Sequence, residues 1–132
     1  MPTTITATFD LDSWEEETFD DAPGARLFLI RVGKTYRGDV VGTSRTTLAS
    51  AISSASDSDA GYGGVERMEV SVGGRGTGTF VLRHAAIASS AGASMEVLIV
   101  PGTGTGELEG ITGSAHIDVA EDGTHTFTLQ LE

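Results

Sequence analysis

The chain has no cysteine, which excludes disulfides, thiolate catalysis and zinc sites built on Cys. Basic residues are scarce: 8 Lys and Arg stand against 19 Asp and Glu, a formal charge of −11. A field of that sign argues against nucleic-acid partners and against docking on anionic lipid. No apolar run approaches the roughly 20 residues that cross a bilayer, so no membrane partner is expected. The start, Met1-Pro2-Thr3-Thr4-Ile5, lacks the basic and apolar regions of a secretion signal, and the expected location is the cytoplasm. Proline is limited to 3 residues and glycine shows no collagen-like period, which removes fibrous and low-complexity readings.

What is abundant is glycine, 18 of 132 residues, against about 7% in average usage. The glycines fall between β-branched and apolar runs, where they act as turns, bulges and bends. The length fits a single domain, residues 1–132. Ile5 to Asp12 alternates strictly, with Ile5, Ala7, Phe9 and Leu11 on one face, and reads as a half-buried strand. Glu15 to Asp21 and Ala22-Pro23-Gly24 read as an acidic surface connection. A second strand runs from about Arg26 to Tyr36, with Phe28, Ile30 and Val32 on one face. A third stretch, punctuated by Gly38 and Gly42, continues through Thr46 to Ile52. Its alanines leave a helix open, which Thr and Ser weaken.

Ser53 to Gly61 reads as a loop. Val65 to Val72 and Thr77 to Ile87 form a hairpin across Gly73-Gly74-Arg75-Gly76. Met95 to Val100 is a continuous apolar run, and Ala115 to Val119 pairs with Thr124 to Leu131 across a turn containing Asp122-Gly123. The total is about eight strands in hairpin succession, with no helices to cover a sheet. Such strands bury their apolar faces against themselves. The expected architecture is all-β, a closed eight-stranded antiparallel meander barrel, with a two-sheet sandwich as the rival. A barrel of about eight strands is filled by side chains or holds one small ligand.

Several blocks then carry a resemblance: Trp14-Glu15-Glu16, Tyr36-Arg37-Gly38-Asp39, Gly64-Val65-Glu66-Arg67, Gly73 through His84, and, most specifically, Val100-Pro101-Gly102-Thr103-Gly104-Thr105-Gly106-Glu107-Leu108. In this order the set resembles the DUF3224 family of small bacterial proteins over nearly the whole chain. The resemblance implies a meander barrel similar to that of allene oxide cyclase, usually oligomeric. It implies no activity, and no motif of the allene oxide cyclase site is present to carry over.

Familiar catalytic motifs are missing. Gly33-Lys34-Thr35 ends like a phosphate-binding loop, but Phe28 stands where its first glycine belongs and no helix follows. Gly102, Gly104 and Gly106 are spaced as a bulged strand or turn, not as a dinucleotide fingerprint. No nucleophile elbow, zincin motif or Ca²⁺ loop occurs. His84, His116 and His125 are the only candidates for a histidine metal site, and His116 falls on the polar side of its strand; no metal and no cofactor are expected.

Strand parity supplies the candidate site. Glu66 shares the apolar face of Met68, Val70 and Val72; His84 shares that of Phe80 and Leu82; His125 lines up with Phe127, Leu129 and Leu131. Glu107 follows the glycine block and points toward the barrel mouth. An inward carboxylate takes a partner or stays protonated, and a raised carboxyl beside a histidine is what acid/base chemistry needs. Glu66, His84 and Glu107 are therefore candidate catalytic groups, and Trp14, Tyr62, Met68, Phe80 and His125 candidate ligand contacts. The bland alternative pairs Glu66 with Arg75, Arg45 or a backbone amide to fix strand register, with Trp14 and Tyr62 as packing.

Three functions compete on this footing: a barrel binding a small apolar, oxygenated ligand, a cofactor-independent cyclase or isomerase, and a structural oligomer with a packed core. Leu27 and Leu29 oppose Phe28 and Ile30, so that strand is apolar on both faces, as is Val97 to Val100. One face is left for a neighbouring subunit, and a homodimer or higher homo-oligomer is expected.

Overall fold

The computed structural model describes residues 3–132. Eight strands follow one another: β1 (Thr3–Asp20), β2 (Ala25–Gly38), β3 (Val40–Ser53), β4 (Ala60–Val72), β5 (Gly76–Ser89), β6 (Gly92–Ile99), β7 (Gly113–Val119) and β8 (His125–Leu131). Each pairs antiparallel with the next, and β1 pairs back onto β8 from Thr3↔Leu131 to Phe9↔His125, closing the barrel. This is the expected all-β meander. No α-helix occurs among the described residues, and none is long and apolar enough to cross a membrane.

Two boundaries differ from the sequence reading, and one open choice is decided in favour of strand. The acidic segment is not a connection but the second half of β1. Cross-strand cations of β2 make this possible: Arg26 lies 3.2 Å from Glu16, and Arg31 lies 3.7 Å from Glu17. The stretch from Thr46 to Ile52 is strand, as its Thr and Ser content favours, and its register with β2 and β4 is unbroken. Ala60 and Gly61, read as loop, already belong to β4 and face Ile52 and Ala51 across the ladder.

The interior divides into two halves. In one, Tyr36, Met68, Phe80, Leu82, Phe127, Leu129 and Leu131 are all within 1% of complete burial, the density of an ordinary core. A 3₁₀ turn at Gly106–Leu108 closes that end with the buried side chains of Leu108 and, just beyond it, Ile111. The loop holding this turn runs along β5, where the Thr105 amide donates to the Thr79 carbonyl at 2.9 Å and the Val81 amide donates to Thr103 Oγ1 at 3.0 Å. Approach is so close that a Cβ on Gly78 would overlap the Thr105 carbonyl oxygen. The Val100–Leu108 block thus forms the plug of the barrel.

The other end flares. β6 and β7 pair only at Val97↔Ala115 and Leu98↔Ser114, and β8 accompanies β1 no farther than Phe9. Strands β1 to β6 run on beyond this girdle. Their inner side carries a second apolar cluster, Phe28, Ile30 and Val32, backed by Leu48 and Ile52. On their outer side Leu27 and Leu29 lie opposite Ala51 and Ala49, which in turn face Gly61 and Gly63, an uncharged patch of small residues flanked by leucines.

Candidate functional site

The site is built on the inner faces of β2 to β5, where the packed half gives way to the flared one. Inner parity on β2 runs Phe28, Ile30, Val32, Lys34, Tyr36, and all five are buried. The same alternation buries Ser44 and Thr46 on β3, Glu66 on β4 and His84 on β5. Gly64, opposite His84 on β4, has no room for a side chain, because a Cβ there would overlap the Thr47 carbonyl oxygen.

Glu66 is fully buried, and its carboxylate is saturated. Oε1 accepts from Lys34 Nζ at 3.2 Å and lies 2.8 Å from His84 Nε2. Oε2 accepts from the hydroxyls of Tyr36 and Ser44, each at 2.6 Å. Burial by itself raises the carboxyl, but the His84 hydrogen bond, the Lys34 charge and the Ser44 and Tyr36 hydroxyls outweigh it and hold Glu66 at about 2. Tyr36 moves the other way, its phenol pushed far above the ordinary range by burial and by the Glu66 charge and hydrogen bond. Because Glu66 is ionised, the His84 nitrogen facing it must be the N–H, which leaves Nδ1 as the free ring nitrogen. The Lys34 ammonium also stands 4.7 Å from the Phe9 ring centroid, a cation–π contact.

Above this network opens a cavity of about 220 Å³ in the flared mouth. Lys34, His84, Thr46 and Phe9 form its inner end, and Leu11, Trp14, Ile30, Leu48, Tyr62 and His125 are among its walls. Thr46 Oγ1 is buried there without a hydrogen-bond partner among the described residues, a cost of about 1–3 kcal/mol unless something fills the site. A shallower apolar groove of about 440 Å³ adjoins it, sharing Tyr62, whose hydroxyl lies 3.6 Å from Met95 Sδ.

The candidates therefore separate. Glu66 and His84 are in contact, and Trp14, Tyr62 and His125 line the same mouth, His125 with its ring 4.9 Å from that of Phe9. Met68 and Phe80 do not line it: both are 0% exposed in the packed half, because parity fixes a residue's face but not its end of the barrel. Glu107 is not at the mouth either; it lies exposed at the plugged end, accepting from the Thr77 amide at 3.1 Å. Glu66 is not a raised carboxyl, and its partner is neither Arg45, exposed beside Arg67, nor Arg75 in the β4–β5 turn, but Lys34. His116 is exposed, 3.1 Å from Asp118, and no metal-ligating cluster forms among the described residues. Lys34, Tyr36, Ser44 and Thr46 are not among the site candidates of the sequence, although continuing the parity of Phe28, Ile30 and Val32 reaches the first two.

The family model for the protein of unknown function DUF3224 matches residues 5–131. The chain belongs to the DUF3224 family. A crystal structure of a DUF3224 protein of unknown function from Shewanella oneidensis MR-1 is similar to it, with a TM-score of 0.86 and 28% identity over 100% of this chain and 98% of that one. No curated protein matches the chain. The DUF3224 barrel thus comes with a fold and without an assigned chemistry, and its function has to be argued from the site.

Proposed function

We propose that this DUF3224 barrel binds one small, largely apolar, oxygen-bearing molecule in its flared mouth, apolar part against Trp14, Leu48 and Tyr62, oxygen toward Lys34 and Thr46. The observation that carries the reading is a largely apolar cavity lined by Lys34 and by Thr46, whose buried hydroxyl has no partner among the described residues. Buried donors without acceptors are what an oxygen-bearing ligand completes. The volume lies below the roughly 300 Å³ at which sites for drug-sized ligands begin, so the ligand is smaller than those. Allene oxide cyclase-like character enters only as the eight-stranded meander, which carries no site residues across.

Trp14 is the single tryptophan and stands at the rim, so its fluorescence reports occupancy. Titration with octanoate, 1-octanol and methyl octanoate is expected to give a saturable change with at least one of them, abolished by Leu48→Trp, which fills the mouth. Unchanged affinity in that variant, or no saturable change with any of the three, overturns the proposal.

A second reading, a cofactor-independent cyclase or isomerase, is favoured by the Glu66–His84 hydrogen bond, but with its agents reassigned. Glu66, held ionised, positions His84, and Nδ1 is the group left to take a proton. Deuterium incorporation from D₂O into cyclohexanone, present with the native chain and absent in His84→Asn, is the expected result. No incorporation by the native chain removes this reading.

We also infer a homodimer through the outer face of β2 to β4. Leu27 and Leu29 flank a floor of Ala49, Ala51, Gly61 and Gly63, so a second copy related by a twofold axis sets its leucines against the small residues of the first.

A further inference from the structure

We propose that the head group the mouth receives is a carboxyl, which makes the ligand class a small monocarboxylic acid with an apolar tail. This rests on the binding reading above and adds the chemistry of the head. Lys34 is the only lysine in the chain, and it is placed not on the surface but at the inner end of the cavity, 7% exposed. Of its three donors, one goes to Glu66 and one side faces the Phe9 ring, which leaves one for an acceptor. Thr46 lines the same cavity and is 3% exposed, and its buried hydroxyl is a second donor with no partner among the described residues. Glu66 cannot serve either of them further, since four donors already occupy its two oxygens.

The third group is His84 Nδ1, which has no hydrogen-bond partner among the described residues. A carboxyl suits it in either charge state. A carboxylic acid donates its proton to a neutral Nδ1, and a carboxylate accepts from a protonated one, so one proton is shared between ligand and imidazole in both cases. The charged and titratable groups around that proton are Glu66 and Lys34 in contact, Tyr36 through Glu66, and His125 and Tyr62 in the cavity wall. An alcohol has a single oxygen for these three groups, and an ester has no proton for Nδ1. Of the three, the carboxyl alone supplies two oxygens together with a charge and one proton to share with the imidazole.

The test compares octanoate with 1-octanol and methyl octanoate on the full chain by Trp14 fluorescence. Octanoate is expected to bind at least about tenfold more tightly than either, the effect of one charge-assisted hydrogen bond. Thr46→Val, which removes only the unpaired hydroxyl and keeps the volume, is expected to weaken octanoate about tenfold without loss of folding. Lys34→Met should erase the preference; if it fails to fold, the Thr46→Val comparison still decides. Equal affinity for the three probes, or octanoate binding untouched by Thr46→Val, overturns the carboxyl while leaving mouth binding standing. No saturable binding of any probe overturns both.

Discussion

Glu66 Oε1 lies 2.8 Å from His84 Nε2 inside the barrel, and this contact decides the chemical character of the site. It converts an inward carboxylate from a candidate acid into a fixed negative charge that orients an imidazole and anchors the sole lysine. The chemistry available to a ligand is therefore that of Lys34, Thr46 and His84, with Glu66 behind them.

The first prediction concerns acid stability. Glu66 titrates at about 2 in the folded chain against 4.5 as its ordinary value. A carboxyl lowered by folding contributes stability that is fully present above the ordinary value and is lost as pH falls through the folded one. The shift corresponds to about 3 kcal/mol, so urea midpoints should drop between pH 4.5 and about 2. Glu66→Gln should lower stability at pH 7 by about 3–5 kcal/mol, because it leaves the Lys34 charge buried without its counterion. It should also flatten the acid limb. A variant as stable as the native chain at pH 7 contradicts the assignment.

Core and mouth should separate under mutation. Met68→Ala and Phe80→Ala are expected to cost about 2–5 kcal/mol each, with octanoate affinity unchanged in whatever remains folded. Tyr62→Ala, in the half-open wall, should do the reverse. Denaturation curves beside Trp14 titrations read both quantities, and a loss of affinity confined to Met68→Ala would move the ligand into the packed half.

Gly64→Ala is expected to destabilise by about 1–3 kcal/mol or more, since its Cβ would meet the Thr47 carbonyl, backbone that cannot swing aside. Gly63→Ala, one residue earlier, has its nearest neighbour at 3.6 Å and should be nearly neutral. The pair of thermal melts is the check, and equal melts contradict the close packing of β3 on β4.

Light scattering tests the outer face. The expected mass is twice the 13.6 kDa of one chain, and Leu29→Glu should return it to that of a monomer. A native mass of 13.6 kDa contradicts the dimer.

The strand alternation that places Ile5, Ala7 and Phe9 inside was readable because each inward position is apolar. The same alternation carried Glu66, His84 and His125 inward correctly, since period two holds for any side chain. It stops short on β2, where an inward lysine contradicts the pattern that defines the face, and the only motif that contains Lys34 is an incomplete phosphate loop. It also said nothing about height along the barrel, which is why Met68 and Phe80 were grouped with mouth residues. The second half of β1 was hidden because its acidic side chains look like a loop until the arginines of β2 are beside them. The glycine block read as a turn or bulge but not as a plug, because its role depends on the contact between Gly78 and Thr105.

The single lysine makes one measurement especially direct. In protein labelled with ¹³C and ¹⁵N only at lysine, Lys34 gives the one side-chain signal, and it sits at the inner end of the mouth. Titration with octanoate, 1-octanol and methyl octanoate should move that signal saturably, with the largest shift and tightest binding for octanoate. A Lys34 signal unmoved by all three at millimolar concentration contradicts ligand binding in the mouth.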